Sequence, residues 1–207
     1  MKITIVNYGL GNLWSVRNAL EYLHAEVEIS SEPETVSTAD CLILPGVGSF
    51  GAGMSNIVDK NLKSAMDEAV LNKGVPVLGI CLGMQLLADA SEEAPGVPGL
   101  GWIPGDVVKL TGDALRLPHM GFNSAAPVGA DNSLFENTHG SSDFYFVHSY
   151  CFSPKDKQHC LATSNYGADF VSGVRKNNIL GVQFHPEKSQ SNGLRFLSNF
   201  INFSLAL

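Results

Sequence analysis

Cys81 is the residue of this sequence best placed for nucleophilic chemistry. An apolar run over residues 75–80 leads into it, Gly79 and Gly83 flank it at two-residue spacing, and helix-forming residues follow. This spacing is that of a nucleophile elbow, with Cys in the position where hydrolases carry Ser. The glycines allow close approach of neighbouring chain, and the adjoining helix N-terminus favours the thiolate. A buried structural cysteine is the alternative that this stretch alone leaves open.

A second reactive group follows the last apolar strand, at His185 and Glu187. Pro186 between them ends sheet pairing and keeps His185 extended. Residues two apart in an extended chain face the same way, so the carboxylate can bind one ring nitrogen. The other nitrogen is then free to act as a base, as in a catalytic triad with Cys81 as the nucleophile. His-Pro-Glu is also common in surface turns, but elbow and turn both follow strand ends, which favours one shared site.

The first 90 residues predict the framework that positions Cys81. Apolar runs indicate strands at residues 3–6, 27–29, 41–44 and 75–80, and apolar stripes indicate helices over residues 13–23 and 62–70 and from Cys81 to about Ala90. The order strand–helix–strand–strand–helix–strand–helix predicts a parallel sheet with helices on its faces. Ligands of such sheets bind at the carboxyl ends of strands. Cys81 and the glycine-rich loop Pro45–Gly48 both lie at such ends.

The second half of the chain changes character. Short strands are predicted at residues 107–110, 144–148, 160–163, 170–174 and 179–184, with a hairpin turn at 176–178 and a last helix from about Asn192. We therefore expect an α/β fold with a flavodoxin-like open sheet, in which a parallel core has an antiparallel extension and helices cover both faces. Because no linker divides the chain, residues 1–207 are predicted to form one domain.

Composition excludes several classes of function. The 207 residues carry a net charge of −7, which argues against a nucleic-acid partner. No apolar run is long enough for a membrane span, and a strand-like N-terminus predicts no signal peptide and a cytoplasmic protein. The four cysteines lack C-x-x-C spacing, as expected in a reducing compartment. His119, His148 and Cys151 lack the spacing of zinc ligands, so we expect no metal.

The motifs around Cys81 and His185 resemble those of the class I glutamine amidotransferases. Within that superfamily, further stretches are similar to the glutaminase subunits of imidazole glycerol phosphate synthase. These stretches run the length of the chain, at residues 7–12, 45–50, 91–93, 117–123, 145–150 and 185–189. One departure is Phe122, where the family often has Trp.

The resemblance implies hydrolysis of glutamine to glutamate and ammonia without a cofactor. Cys81 would be the nucleophile, His185 the general base and Glu187 the residue that orients it. The oxyanion donors would be the N–H of Leu82 and one from the Pro45–Gly48 loop, at Val47 or Gly48. The remaining implied site residues hold the amino-acid end of the substrate (Gln85 and Glu93) or its carboxylate (Ser149 and Tyr150).

The resemblance also implies a partner, a (β/α) barrel cyclase subunit bound as a heterodimer. The complex would make imidazole glycerol phosphate and aminoimidazole carboxamide ribotide in histidine biosynthesis. Asn12 and Lys188 match interface positions of the family. We further expect the Pro45–Gly48 loop to be misoriented in the free subunit and to turn an N–H inward when the partner binds its ligand.

Other functions fit parts of the sequence. The same glutaminase chemistry could feed a sugar-modifying amidotransferase for surface polysaccharide, or serve vitamin B6 synthesis, although the Pro45–Gly48 loop and Gln85 argue against the latter. A non-catalytic flavodoxin-like binding module would show no covalent chemistry at Cys81. A Cys-dependent α/β hydrolase would place its acid well before the His, whereas Glu187 follows His185.

Overall fold

The protein is described from a computed structural model, which covers residues 1–112, 116–129, 133–138 and 143–207. Its strands are β1 (Lys2–Val6), β2 (Glu26–Ser30), β3 (Cys41–Leu44), β4 (Val77–Ile80), β5 (Ala90–Ser91), β6 (Gly105–Lys109), β7 (His119–Ser124), β8 (Ala126–Pro127), β9 (Asp143–His148), β10 (Tyr150–Pro154), β11 (Cys160–Asn165), β12 (Asp169–Lys176) and β13 (Ile179–Val182). Its α-helices are α1 (Leu13–Tyr22), α2 (Pro33–Ser37), α3 (Phe50–Asp59), α4 (Leu62–Asp67), α5 (Leu82–Leu86) and α6 (Gln190–Leu205). A π-helical segment (Glu68–Asn72) continues α4, and 3₁₀ turns cover Ser133–Phe135, Lys157–His159 and Pro186–Lys188.

Most strands belong to one mixed sheet, with the order β2-β1-β3-β4-β13-β12-β10-β6-β5. The strands from β2 to β13 run parallel, and β12, β10 and β6 continue the sheet with antiparallel pairings. Strand β11 pairs with β12 and with β8. This is the parallel core with an antiparallel extension that the sequence predicts. The last strand in the chain, β13, lies next to the central strand β4.

Helices cover both faces of the sheet, as predicted. Strand β3 shows the division, because its alternate residues enter different cores. Leu42 and Leu44 pack in the cluster formed by α2 to α5, whereas Cys41 and Ile43 pack in the cluster that includes α1 and α6. This alternation follows from the two-residue period of a strand that is buried on both faces.

The predicted order of elements in the first half was incomplete, because helices α2 and α3 were not predicted. Helix α2 is a short segment with Pro33 in its first turn, a position that suits proline because its missing N–H is not needed there. Helix α3 begins after Ser49, whose side chain accepts a hydrogen bond from the N–H of Ala52. Glycines at residues 51 and 53 weaken its helical pattern. With α2 and α3 included, helices separate every pair of consecutive strands from β1 to β4.

The helix after Cys81 is shorter than predicted and ends at Leu86 instead of near Ala90. Beyond it, the carbonyls of Leu86 and Leu87 accept hydrogen bonds from the N–H groups of Leu100 and Trp102. Residues 100–103 thereby supply the N–H groups that a further helical turn would have supplied, and the chain enters β5 at Ala90. The final helix α6 begins at Gln190, two residues before the predicted start.

The prediction that residues 144–148 extend the main sheet was wrong. These residues form β9, which pairs with β7 in a separate antiparallel two-stranded ribbon. The ribbon still contacts the main body, because the N–H of His185 donates to the carbonyl of Tyr145 at 2.8 Å. Strand β10, which directly follows β9, pairs with β12 and β6 in the main sheet instead. The ribbon thus lies against the turn that follows β13.

Candidate active site

The elbow at Cys81 has the strained geometry that its glycine spacing predicts. Cys81 has φ +54° and ψ −108°, a conformation that non-glycine residues rarely adopt. A Cβ on Gly79 would lie 2.7 Å from the backbone of Gly83, and one on Gly83 would lie 1.8 Å from the carbonyl oxygen of Leu44. Only glycine fits at either position. Close packing of chain on both sides therefore fixes the turn that presents the thiol.

The turn after β13 brings His185 and Glu187 together as predicted. His185 is extended, with φ −100° and ψ 94°, and its Nδ1 lies 2.8 Å from Oε1 of Glu187. Both side chains are almost completely buried, with 2% and 1% of their surface exposed. The hydroxyl of Ser189 donates to the carbonyl of His185 at 2.6 Å and accepts the N–H of Tyr145. Polar contacts thus hold the imidazole in one orientation.

Strand pairing places the elbow and this turn side by side. Strands β4 and β13 are parallel neighbours, with Ile80 paired to Val182, and the N–H of Cys81 donates to the carbonyl of Val182 at 2.8 Å. Both functional segments therefore leave the sheet at the same carboxyl edge. This is where open α/β sheets bind ligands.

A cavity of about 240 Å³ lies at this edge. Nine predicted site residues line it, namely Val47, Gly48, Cys81, Leu82, Gln85, Glu93, Ser149, Tyr150 and His185. The other lining residues are Pro118, Val147 and His148. The structure thus brings the predicted nucleophile, base, oxyanion loop and substrate-binding residues around one space of amino-acid size. Glu187 stands behind His185.

Electrostatics favour a charged imidazole in this cavity. Burial lowers the pKa of His185, but Cys81 in its thiolate form and the Glu187 carboxylate together outweigh it and raise the pKa to about 10. Nε2 of His185 is buried and has no hydrogen-bond partner among the described residues. Once His185 has taken the thiol proton, this environment therefore stabilises it in the charged form, with its Nδ1 held by Glu187.

Two predicted substrate-binding residues also have structural contacts. Oε2 of Glu93 accepts the N–H of Phe50 at 2.7 Å, in the first turn of α3. Nε2 of Gln85 donates to the carbonyl of Tyr150 at 3.0 Å. These contacts hold both side chains at the cavity wall.

Two polar residues that line or adjoin the cavity were not predicted from the sequence. Gln183 is fully buried, and its Nε2 lies 3.6 Å from Sγ of Cys81. Its position two residues before His185 was the available signal, because alternate residues of an extended chain share a face. His148 was considered only as a zinc ligand, yet it lines the cavity, and burial lowers its pKa to about 3.

The predicted interface residues lie outside the cavity lining. Asn12 is exposed, and its side chain accepts the N–H of Ser15 at the start of α1. Lys188 is exposed next to Glu187, and its ammonium lies 5.8 Å from the centre of the Tyr145 ring. In the described ranges, no helix is long and apolar enough to cross a bilayer. The same ranges contain no cluster of three or more His, Cys, Asp or Glu side chains suited to a metal.

The chain is similar to known proteins over nearly its whole length. The family model described as glutamine amidotransferase class-I matches residues 4–203. The chain is 46% identical to imidazole glycerol phosphate synthase subunit HisH 1 of Methanococcus maripaludis, over 96% of this chain and 98% of that protein. It is 45% identical to the HisH 2 subunit of Vibrio vulnificus, over 98% and 95%. A solved glutamine amidotransferase structure, 20% identical, superposes with a TM-score of 0.76 over 98% of both chains and supports the fold.

Proposed function

The chain belongs to the class I glutamine amidotransferases, an enzyme family, and we propose that it hydrolyses glutamine through a triad of Cys81, His185 and Glu187. One observation carries the proposal. Cys81, in its strained elbow, lines the same cavity as His185, and Nδ1 of His185 lies 2.8 Å from Oε1 of Glu187. Nucleophile, base and orienting carboxylate are the three parts that acyl transfer from an unreactive amide requires.

The reaction proceeds through a thioester. Cys81 gives its proton to His185 and its sulfur bonds to the carboxamide carbon of glutamine, forming a tetrahedral oxyanion. The N–H of Leu82 and one from Val47 or Gly48 stabilise that charge. The C–N bond then breaks, and ammonia leaves with the proton from His185. Water, deprotonated by His185, releases glutamate and restores the thiol.

The cavity wall supplies the contacts for the rest of the substrate. The carboxylate of Glu93 pairs with the substrate ammonium group, and Gln85 lies beside it. The backbone of Ser149 and Tyr150 holds the substrate carboxylate. Because these groups come from different elements around one small space, they select a free amino acid with a side-chain amide.

The partner is proposed from the relatives. The two relatives are subunits of imidazole glycerol phosphate synthase, and the identity of 46% and 45% extends over nearly the whole of each chain. We infer that this chain passes its ammonia to a (β/α) barrel cyclase subunit in a heterodimer of histidine biosynthesis. The exposed Asn12 and Lys188 would contact that subunit.

The Pro45–Gly48 loop is proposed as the switch between the subunits. Gly48 has φ +136°, a conformation that favours glycine, and Val47 is 47% exposed. Rotation of the peptide between them would turn an N–H towards the oxyanion when the partner binds its ligand. Glutamine hydrolysis by the isolated chain at the rate of the complex would contradict this switch.

The test of the triad is covalent labelling by a glutamine analogue that carries an alkylating carbon in place of the amide. Intact mass should show one adduct, and peptide mapping should place it on Cys81. Cys81→Ala should lose the adduct, while Cys160→Ala should keep it. No adduct, or one that survives Cys81→Ala, would exclude the triad.

The acceptor pathway needs a separate test. The gene for this chain should restore growth without histidine to a strain that lacks its glutaminase subunit, and the Cys81→Ala gene should not. Labelling of Cys81 without restored growth would keep the chemistry and favour the sugar-modifying alternative.

A further inference from the structure

Gln183 contacts the reactive sulfur and has no part in the triad. It follows β13 directly, its residue surface is 0% exposed, and its Nε2 lies 3.6 Å from Sγ of Cys81. Its backbone N–H is bound to the carbonyl of Ser172 on β12 at 2.9 Å, which fixes the start of the side chain. Burial of an amide is unfavourable unless its groups are paired, so these contacts determine how the side chain sits.

Hydrogen bonding determines which end of the Gln183 amide faces the sulfur. Nε2 of Gln85 donates to the carbonyl of Tyr150 at 3.0 Å and to Oε1 of Gln183 at 3.1 Å. A backbone carbonyl can only accept, so the nitrogen of Gln85 must point this way. The Gln183 atom that meets it must then be the oxygen. The amide nitrogen of Gln183 is consequently the end directed at Cys81.

The carbonyl that sets this direction is itself held in place. It also accepts a hydrogen bond from Nδ1 of His148 at 2.8 Å. Nε2 of His148 must then be the acceptor for Nδ1 of His119 at 3.0 Å, and Nε2 of His119 accepts from Asn123 at 3.2 Å. Every donor in this series has a fixed direction, and the series ends with the N–H of Gln183 pointing at sulfur.

We propose that Gln183 is a further catalytic residue, which donates an N–H to the Cys81 sulfur and stabilises it as a thiolate. This deepens the proposed glutamine hydrolysis and rests on it. The bond is stronger to a charged sulfur than to a neutral thiol. It therefore acts at two points of the cycle, when the thiol gives up its proton and when the thioester C–S bond breaks and sulfur leaves with the electron pair.

The experiment is alkylation of the full-length chain by iodoacetamide from pH 5 to pH 10, quantified by peptide mass. It reports the thiolate at Cys81 without requiring glutamine or the partner. Cys41 and Cys151 are internal references, because burial raises their pKa values to about 12 and about 11. The variants are Gln183→Met, which keeps the size and removes the donor, and Gln183→Glu, which keeps an acceptor for Gln85. The matched control is Ser172→Ala, buried one strand away.

At pH 7, we expect Gln183→Met to slow alkylation of Cys81 about tenfold, because loss of a hydrogen bond to a charged group typically reduces the thiolate fraction by about this factor. Gln183→Glu should be slower still, because it sets a negative charge beside the sulfur. Above the pH at which the thiol is fully ionised, the Met variant should match the original chain. Ser172→Ala should match it throughout.

Two results would overturn the role of Gln183. One is alkylation of the Met variant at the original rate at pH 7, and the other is slowing by the same factor at every pH, which indicates a packing effect. If Gln183→Met does not fold, an original rate in Gln183→Glu overturns the role equally. If Cys81 of the unaltered chain reacts no faster than Cys41 and Cys151, the proposed triad itself fails.

Discussion

The two segments that meet at the cavity are held in different ways. At the elbow, Cys81 is strained and Gly79 and Gly83 leave no room for a side chain. At the turn after β13, His185 has an ordinary extended backbone, and hydrogen bonds to Tyr145, Ser189 and Glu187 fix it. Steric exclusion positions the proposed nucleophile, and polar contacts position the proposed base.

This difference predicts different failures. A change at the elbow must displace backbone, so it should destabilise the fold. A change at the turn removes hydrogen bonds or a charge, so it should reduce activity or make stability depend on pH.

Gly83→Ala should reduce the free energy of unfolding by about 4 kcal/mol or more, because its Cβ would lie 1.8 Å from the carbonyl oxygen of Leu44. The measurement is the urea midpoint. Gly51→Ala in α3 is the matched control, since its Cβ would come no closer than 3.3 Å to another atom, and it should change stability by about 1 kcal/mol at most. Equal midpoints for the two variants would show that sterics do not position the nucleophile.

Glu187→Gln should leave the fold intact and reduce glutamine hydrolysis on the order of 10³-fold. The neutral amide keeps the shape but no longer stabilises the charged imidazole or fixes its tautomer. Glutamate release by the complex with the cyclase subunit measures the loss. The free energy of unfolding, measured in urea, should change by about 1 kcal/mol at most. Glu92→Gln, an exposed carboxylate outside the cavity lining, is the control. Full activity of the Glu187 variant would remove the carboxylate from the triad.

Mild acid should destabilise the protein through His148. Burial lowers the pKa of His148 to about 3 in the folded state, so below about pH 6.5 only the unfolded chain takes the proton. Stability present above that pH is therefore lost as the pH falls, by about 1.4 kcal/mol per pH unit between pH 6 and 5. His148→Gln should flatten this dependence. Hydrogen exchange should show β9 opening before β4, and the reverse order would contradict the division.

Tyr8→Phe should have the smallest effect, about 1 kcal/mol. The Tyr8 hydroxyl donates to the carbonyl of Pro45 at 2.6 Å, so this contact is a polar restraint on the proposed oxyanion loop. Urea unfolding measures the loss, and Tyr22→Phe, with Tyr22 71% exposed, should be neutral. A loss above about 3 kcal/mol would indicate that the loop is part of the rigid elbow.

Features encoded by adjacent residues were predictable from the sequence. The apolar runs gave β1, β3 and β4, the glycine spacing gave the elbow, and the two-residue separation of His185 and Glu187 gave their contact. Each depends on a local backbone period or a local steric need.

Features that depend on distant partners were not predictable in this way. Helix α3 contains Gly53, although glycine disfavours helix formation. A glycine suits this position because Leu86 packs closely against it, and a Cβ there would lie 3.1 Å from the Leu86 side chain. The alternation of apolar and polar residues in β9 predicts a strand but does not indicate which strand it pairs with, so its pairing with β7 was missed. The contact of Gln183 with the sulfur depends on the Tyr150 carbonyl, which no local pattern specifies.

The placement of β13 has a consequence for how the protein is made. It is the last strand in the chain, yet it lies between β4 and β12 inside the sheet. During synthesis, the elbow can leave the ribosome about a hundred residues before its base exists, and the gap beside β4 stays open until then. A nascent or prematurely terminated chain therefore has the Cys81 thiol but lacks His185, so under the proposed mechanism it cannot hydrolyse glutamine before the sheet is closed.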